Sequence, residues 1–282
     1  MTGHRYITNY MGSIRSVQFS ICDVARFASC SIFHDNNTYR HIWSDEFDYN
    51  GYPDTVKWSY ELGDGCQAVC KWGNDPFHYY ENGLKNAKVE KCQLTINAIK
   101  EEIYKYHFTS ASLVTKNKHN WTYGKIDVRA KLPKGRGTWP AIWLLASDHN
   151  YGGWPESKEI DIMEKVCFTK DSISSSIHTR SYHHSIGTQK TKGMFLPAAE
   201  EVSHICGLTR SEKEIIITID GKEYHSFSNE KTEHKEWPFD RIFYLIVNLA
   251  IGEFWGSAHG IDDTIIHQSM AVDYEREYQK IN

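Results

Sequence analysis

From His41 onward the chain is built of short runs in which apolar and polar residues alternate. Gln93 to Ile99 (QLTINAI) and Lys125 to Leu132 (KIDVRAKL) put every second side chain on an apolar face, the period of a half-buried strand. Thr138 to Ala146 (TWPAIWLLA) is almost wholly apolar, as a strand covered on both faces would be. Ser172 to Thr179, Glu214 to Asp220, Ile242 to Gly252 and Ala271 to Tyr278 continue the series. Asp220-Gly221 sits between two such runs, which predicts a hairpin there. No window from 41 to 282 carries a strong helical stripe. Many short strands separated by turn residues predict an all-β, two-sheet sandwich. No Pro-, Gly- or Ser-rich linker divides it, so residues 41–282 are read as one domain. Residues 1–40 lack a clear period and are read as an N-terminal extension.

Composition narrows the classes. The 282 residues are 40% hydrophobic and 24% charged, which supports a packed core rather than disorder. A net charge of -4 lacks the basic footprint of a nucleic-acid binder. No apolar run is long enough to span a membrane, and Asp23 and Arg26 interrupt any signal-peptide core. Seven cysteines do not form a dense framework; Cys66 and Cys70 can pair, and most of the others are expected free and buried.

One stretch departs from the strand pattern. Glu159-Ile160-Asp161-Ile162-Met163-Glu164 holds three acids in an otherwise core-like run. On a helix Glu159 and Asp161 would point about 200° apart. On a strand they share a face, and Glu164 falls out of phase. One extra residue in a β-bulge, at Ile162 or Met163, would bring Glu164 to the same side. Two readings follow: a solvated acidic face, or carboxylates gathered for chemistry. A retaining glycosidase needs a nucleophilic carboxylate and a protonated carboxyl about 5–5.5 Å apart. Crowded carboxylates cannot all ionise easily, so one keeps its proton.

The surroundings of this run resemble glycoside hydrolase family 16, and within it the laminarinase-like endo-β-1,3-glucanases. The carriers are IWSDEFDYNGYPDTVKWSY (from Ile42), WGNDPFHYYEN (from Trp72), YGKIDVRAKLPKGRGTWPAIWLL (from Tyr123), GWPESKEIDIME (from Gly153), WPFDRIFYLIVNLAIG (from Trp237) and IDDTIIHQSMAVDYEREYQ (from Ile261). The resemblance spans roughly residues 41–280. It implies a β-jelly-roll sandwich of two curved antiparallel sheets with an open substrate cleft. Glu159 would be the nucleophile, Glu164 the general acid/base and Asp161 their helper. Trp154, Arg129, Asn74 and His178 match positions implied to contact sugar, with a structural role as the alternative for each. Trp139 and Trp143 sit four apart on a strand and share a face; Trp139 is read into the cleft and Trp143 as core. No cofactor is implied for catalysis. Glu46 and Asp273 match positions that hold a structural calcium ion in relatives.

The implied activity is endo-acting, retaining cleavage of β-1,3-glucan, extending to mixed β-1,3-1,4-glucan. The implied enzyme is secreted and monomeric, with a polysaccharide partner, no nucleic acid and no membrane. Two alternatives stand beside it: a non-catalytic glucan-binding lectin on the same fold, and a galactan hydrolase acting on agar- or carrageenan-type polymers. Lys158 in place of the family's Gly, and Ser112 in place of a usual Arg, depart from the pattern.

Overall fold

The computed structural model describes residues 38–281, apart from 67–69, 74, 149, 157, 232, 253, 263, 265 and 266. Residues 1–37 of the expected extension 1–40 lie outside the described residues, and the sandwich lies within the unit Asp35–Asn282. Its first strand begins at Tyr39, two residues before the boundary expected from sequence.

Among the described residues seventeen strands form two sheets, numbered in chain order. One sheet has ten: β1 (Tyr39–Asp45), β3 (His78–Tyr80), β4 (Ala87–Glu90), β5 (Gln93–Ile103), β6 (Tyr106–Ser110), β8 (Gly124–Lys131), β13 (His204–Arg210), β14 (Glu214–Ile219), β15 (Lys222–Ser228) and β17 (His267–Lys280). The other has seven: β2 (Ser59–Glu61), β7 (Ser112–Val114), β9 (Thr138–Ala146), β10 (Glu159–Glu164), β11 (Ser172–His178), β12 (Lys190–Phe195) and β16 (Phe243–Ile251). Their order in this second sheet is β12-β11-β10-β9-β16-β7-β2. Pairing is antiparallel except between β3 and β6, which run parallel.

Alternation explains the packing. In β5 and β8 every second residue is buried, and Leu94, Ile96, Ile126 and Val128 meet Ile142, Leu144, Ile160, Leu245 and Val247 of the seven-stranded sheet in one core. The β14–β15 hairpin turns at Asp220 and Gly221, both at positive φ (50° and 76°). A two-residue turn of matching twist requires this, and Asn, Asp and Gly tolerate it. β16 is buried along its whole length because its second face is also covered.

Three details depart from expectation. Cys66 bonds Cys70 and Cys92 is also in a disulfide, so among the described cysteines only Cys167 and Cys206 are free and buried. Glu275 and Glu277 on β17 stand opposite Val128 and Ile126 and are turned into the core, where Glu277 meets His119. The carboxylates expected to hold calcium are already neutralised by arginines. Glu46 accepts both Nε and Nη2 of Arg276 at 2.9 Å, and Asp273 accepts Arg129 and Gln93. Their placement therefore does not fit a cation held by these two side chains.

Candidate active site

The register of β10 fixes the direction of its acids. On β9, Glu159 stands opposite Leu145, Asp161 opposite Trp143 and Glu164 opposite Ala141. Residues 145, 143 and 141 are two apart on a regular strand, so they share one face, and so do the three acids. The register slips between Asp161 and Met163 against β9, and between Asp161 and Glu164 against β11. Ile162 is thus the inserted residue, and Ile160, Ile162 and Met163 pack into the core. The bulge lets a core-filling strand present carboxylates at i, i+2 and i+5.

The same pairing traces a row of residues across the sheet. From Glu164 it runs through Ala141, Asn248 and Ser112 to Glu61 on the edge strand β2. A parallel row runs from Ser176 through Asp161, Trp143 and Ile246 to Val114. These rows form the floor of the non-core face.

Hydrogen bonds and burial set the charges. Trp154 Nε1–H donates to Glu159 Oε2 at 3.0 Å, and Trp139 Nε1–H donates to Glu164 Oε1 at 3.2 Å. Asp161 is within hydrogen-bond reach of Glu159. His178 Nε2 lies 3.3 Å from Asp161 Oδ2 and 3.8 Å from Glu159 Oε1, close but not aligned as a hydrogen bond. Burial pushes all three carboxyls above the usual range. The charge of Asp161 raises Glu159 further, and the charges of Asp161 and Glu159 raise Glu164 well above its ordinary value. Such a trio carries fewer than three negative charges at neutral pH.

Residues 66–276 match the model of "Glycosyl hydrolases family 16". The chain belongs to this family. The hydrolase is 41% identical over 246 residues to a β-glucanase of Rhodothermus marinus, covering 84% of each chain. It superposes on the X-ray structure of the laminarinase from Rhodothermus marinus with a TM-score of 0.82 at 40% identity, covering 86% of this chain and 98% of that one. It is also 52% identical over 170 residues to a β-1,3-glucan-binding protein of Penaeus monodon, covering 51% of this chain and 46% of that protein. Family 16 hydrolases need no cofactor, and no helix among the described residues of this one is long and apolar enough to cross a membrane.

The hydrolase brings together some of the residues expected to contact sugar. Trp154 is 40% exposed and its ring lies 6.3 Å from that of His178. Trp139 packs edge-on to the exposed Trp255 at 5.3 Å. Asn74 falls outside the described residues. Arg129 belongs elsewhere: it projects from β8 in the ten-stranded sheet, on the face opposite the buried Val128 and Ala130, and is paired with Asp273. Alternation showed which neighbours share its face but not which sheet the strand would join.

Trp143 corrects the reading in the other direction. It is not in the main core but beside Asp161 on the cleft face, with Val114, Tyr244 and Ile246. Its Nε1–H donates to Asn248 Oδ1 at 2.8 Å, and Asn248 Nδ2 donates to the Tyr80 hydroxyl at 2.9 Å. Sequence reasoning missed Asn248, Tyr244 and Trp255, and also His183 and His184, whose rings lie 5.5 and 4.8 Å from that of Trp154; an Asn inside the apolar run FYLIVNLAI was the one available signal. Lys158 also has a local explanation. It sits at φ 66°, a conformation that favours Gly, and its side chain is buried over the Tyr151 ring rather than beside Glu159.

Among the described residues, one group of three side chains could hold an ion: Glu159, Asp161 and His178, whose ligand atoms all lie within 4.8 Å of one another.

Proposed function

We propose that this family 16 hydrolase is an endo-acting, retaining β-1,3-glucanase of the laminarin type that also accepts mixed β-1,3-1,4-glucan. The observation that carries the reading is the bulged β10, with Glu159, Asp161 and Glu164 on one face beside Trp139, Trp143 and Trp154. Glu159 attacks the anomeric carbon while Glu164, protonated, gives its proton to the leaving glycosidic oxygen. A covalent glycosyl-enzyme forms on Glu159. Glu164, now a carboxylate, takes a proton from water, which attacks the same carbon from the side the leaving group vacated. Two inversions give net retention.

The charge assignment follows from the surroundings. Glu159 keeps part of its side chain at the surface and receives the Trp154 N–H. Asp161 is 3% exposed and its Oδ2 has no hydrogen-bond partner. The anion is better solvated on Glu159, so the proton these two share rests on Asp161, which then donates to the nucleophile. Glu164 is the carboxyl best suited to enter the reaction protonated, because burial and the charge on Glu159 hold its proton on. Trp154, Trp139 and His178 are the residues of the sequence reading that this proposal keeps for sugar contact. Secretion and a monomeric state are part of the same proposal, since the substrate is a polymer outside the cell. Structural calcium through Glu46 and Asp273 is not part of it.

The test is reducing-sugar release from laminarin, barley glucan, agarose and carrageenan by the wild type and by Glu159→Gln. Turnover of laminarin that vanishes in Glu159→Gln supports the reading. The similarity to a glucan-binding protein keeps a second reading in view, a lectin. Tight glucan binding without turnover in either protein would establish that second reading, and turnover confined to agarose or carrageenan would move the substrate to galactans.

A further inference from the structure

We propose that Glu159, Asp161 and His178 also form a zinc-type transition-metal site, and that an ion bound there shuts the active site reversibly. In a tetrahedral zinc site with bonds of about 2.0–2.1 Å, neighbouring ligand atoms are about 3.3–3.4 Å apart. His178 Nε2 stands 3.3 Å from Asp161 Oδ2 and 3.8 Å from Glu159 Oε1. All three ligand atoms fall within 4.8 Å of one another, so a small side-chain adjustment gives three bonds to one ion.

A second observation is independent of this clustering. Asp161 is almost fully buried, and among the described residues its Oδ2 finds no hydrogen-bond partner although it points at the imidazole. A buried carboxylate oxygen without a partner is costly, and a cation is one way to satisfy it. One imidazole and two carboxylates suit Zn²⁺ or Co²⁺ better than Ca²⁺ or Mg²⁺, which take six or more oxygens. Three protein ligands leave a fourth position open to water on the cleft side.

Two consequences follow from named atoms. An ion bonded to Glu159 occupies the lone pair that the proposed mechanism uses, so it competes with glucan rather than slowing turnover of bound glucan. The Nδ1 of His178 is buried without a partner among the described residues. The outer hydrogen bond that normally orients a zinc-ligating imidazole is therefore missing, and binding is expected to be weaker than in a structural zinc site.

The experiment uses the full chain in chelator-free buffer. Co²⁺ titration should give the visible d–d band of a four-coordinate site, and Zn²⁺ should displace it. His178→Ala and Asp161→Asn should each weaken Co²⁺ binding at least about tenfold, while a His183→Ala, His184→Ala double variant should keep the band. Ca²⁺ and Mg²⁺ should leave it unchanged. With soluble glucan, Zn²⁺ should raise KM without lowering kcat, and EDTA should restore activity. The inhibition arm rests on the hydrolytic reading; the cobalt arm does not, so the two can fail separately. No band at millimolar Co²⁺ overturns the proposal. So does a band that survives both His178→Ala and Asp161→Asn, or one lost with His183 and His184, which would put the ion on the cleft rim.

Discussion

Trp154 donates its indole N–H to Glu159 Oε2 at 3.0 Å, so a partly exposed aromatic at the cleft surface is bonded to the proposed nucleophile. That bond favours the ionised carboxylate. Trp154→Phe keeps the ring and removes the donor. It should raise the Glu159 pKa, move the acid limb of the kcat/KM profile to higher pH, and lower kcat/KM roughly tenfold at neutral pH. The pH profile is the deciding measurement, because loss of stacking alone would leave the limb in place.

Glu164 is held above the usual carboxyl range by burial first, then by the charges of Asp161 and Glu159. Glu159→Gln removes one of those charges, as formation of the glycosyl ester would. The Glu164 carboxyl should then titrate at lower pH, readable by carbon NMR of labelled protein. Such a fall is what lets one residue act as acid in the first step and base in the second. An unchanged Glu164 titration would mean that burial alone sets its proton affinity.

Lys158 is a buried cation whose Nζ makes no hydrogen bond among the described residues, with Asp148 4.0 Å away. Burial pushes its pKa down to about 8. The folded state thus disfavours the charged form, and the penalty is present below that value and fades as pH rises toward the unfolded pKa. Lys158→Met keeps the alkyl stem and the backbone conformation. It should stabilise the fold by about 1–3 kcal/mol at pH 7, and by less near pH 10. Calorimetric unfolding at the two pH values checks the difference.

Glu275 is 0% exposed, and both its carboxyl oxygens lack hydrogen-bond partners among the described residues. Burial first, then Glu277 and Asp45, raise its pKa well above the ordinary value. A raised carboxyl pKa gives stability that is complete below the unfolded pKa and is lost as pH rises through the folded one. The wild type should therefore lose Tm as pH rises from the ordinary carboxyl value through the raised one, and Glu275→Gln should flatten that decline. An equally steep decline in the variant would point to another group.

The strands were legible because period-2 alternation is local: QLTINAI and KIDVRAKL lie within β5 and β8 apart from the last residue of KIDVRAKL. The bulge was legible because Glu159, Asp161 and Glu164 break that period in one place. The sheet to which a strand belongs was not, since it depends on partners far along the chain. Arg129 was therefore read into the cleft and Trp143 out of it, although pairing with Asp161 puts Trp143 on the cleft face. The parallel β3–β6 pair and the left-handed backbone at Lys158 are likewise products of tertiary context.

The row from Glu164 through Ala141, Asn248 and Ser112 to Glu61 crosses four strand-to-strand steps, each about 4.8 Å. On the other side of β10, among the described residues, only β11 and β12 remain. If the polymer lies along that row, its grip is lopsided: roughly twice as many sugar units are held on one arm as on the other. Fragment length would then be written in strand widths, and adding or deleting an edge strand would be the way to re-rule it.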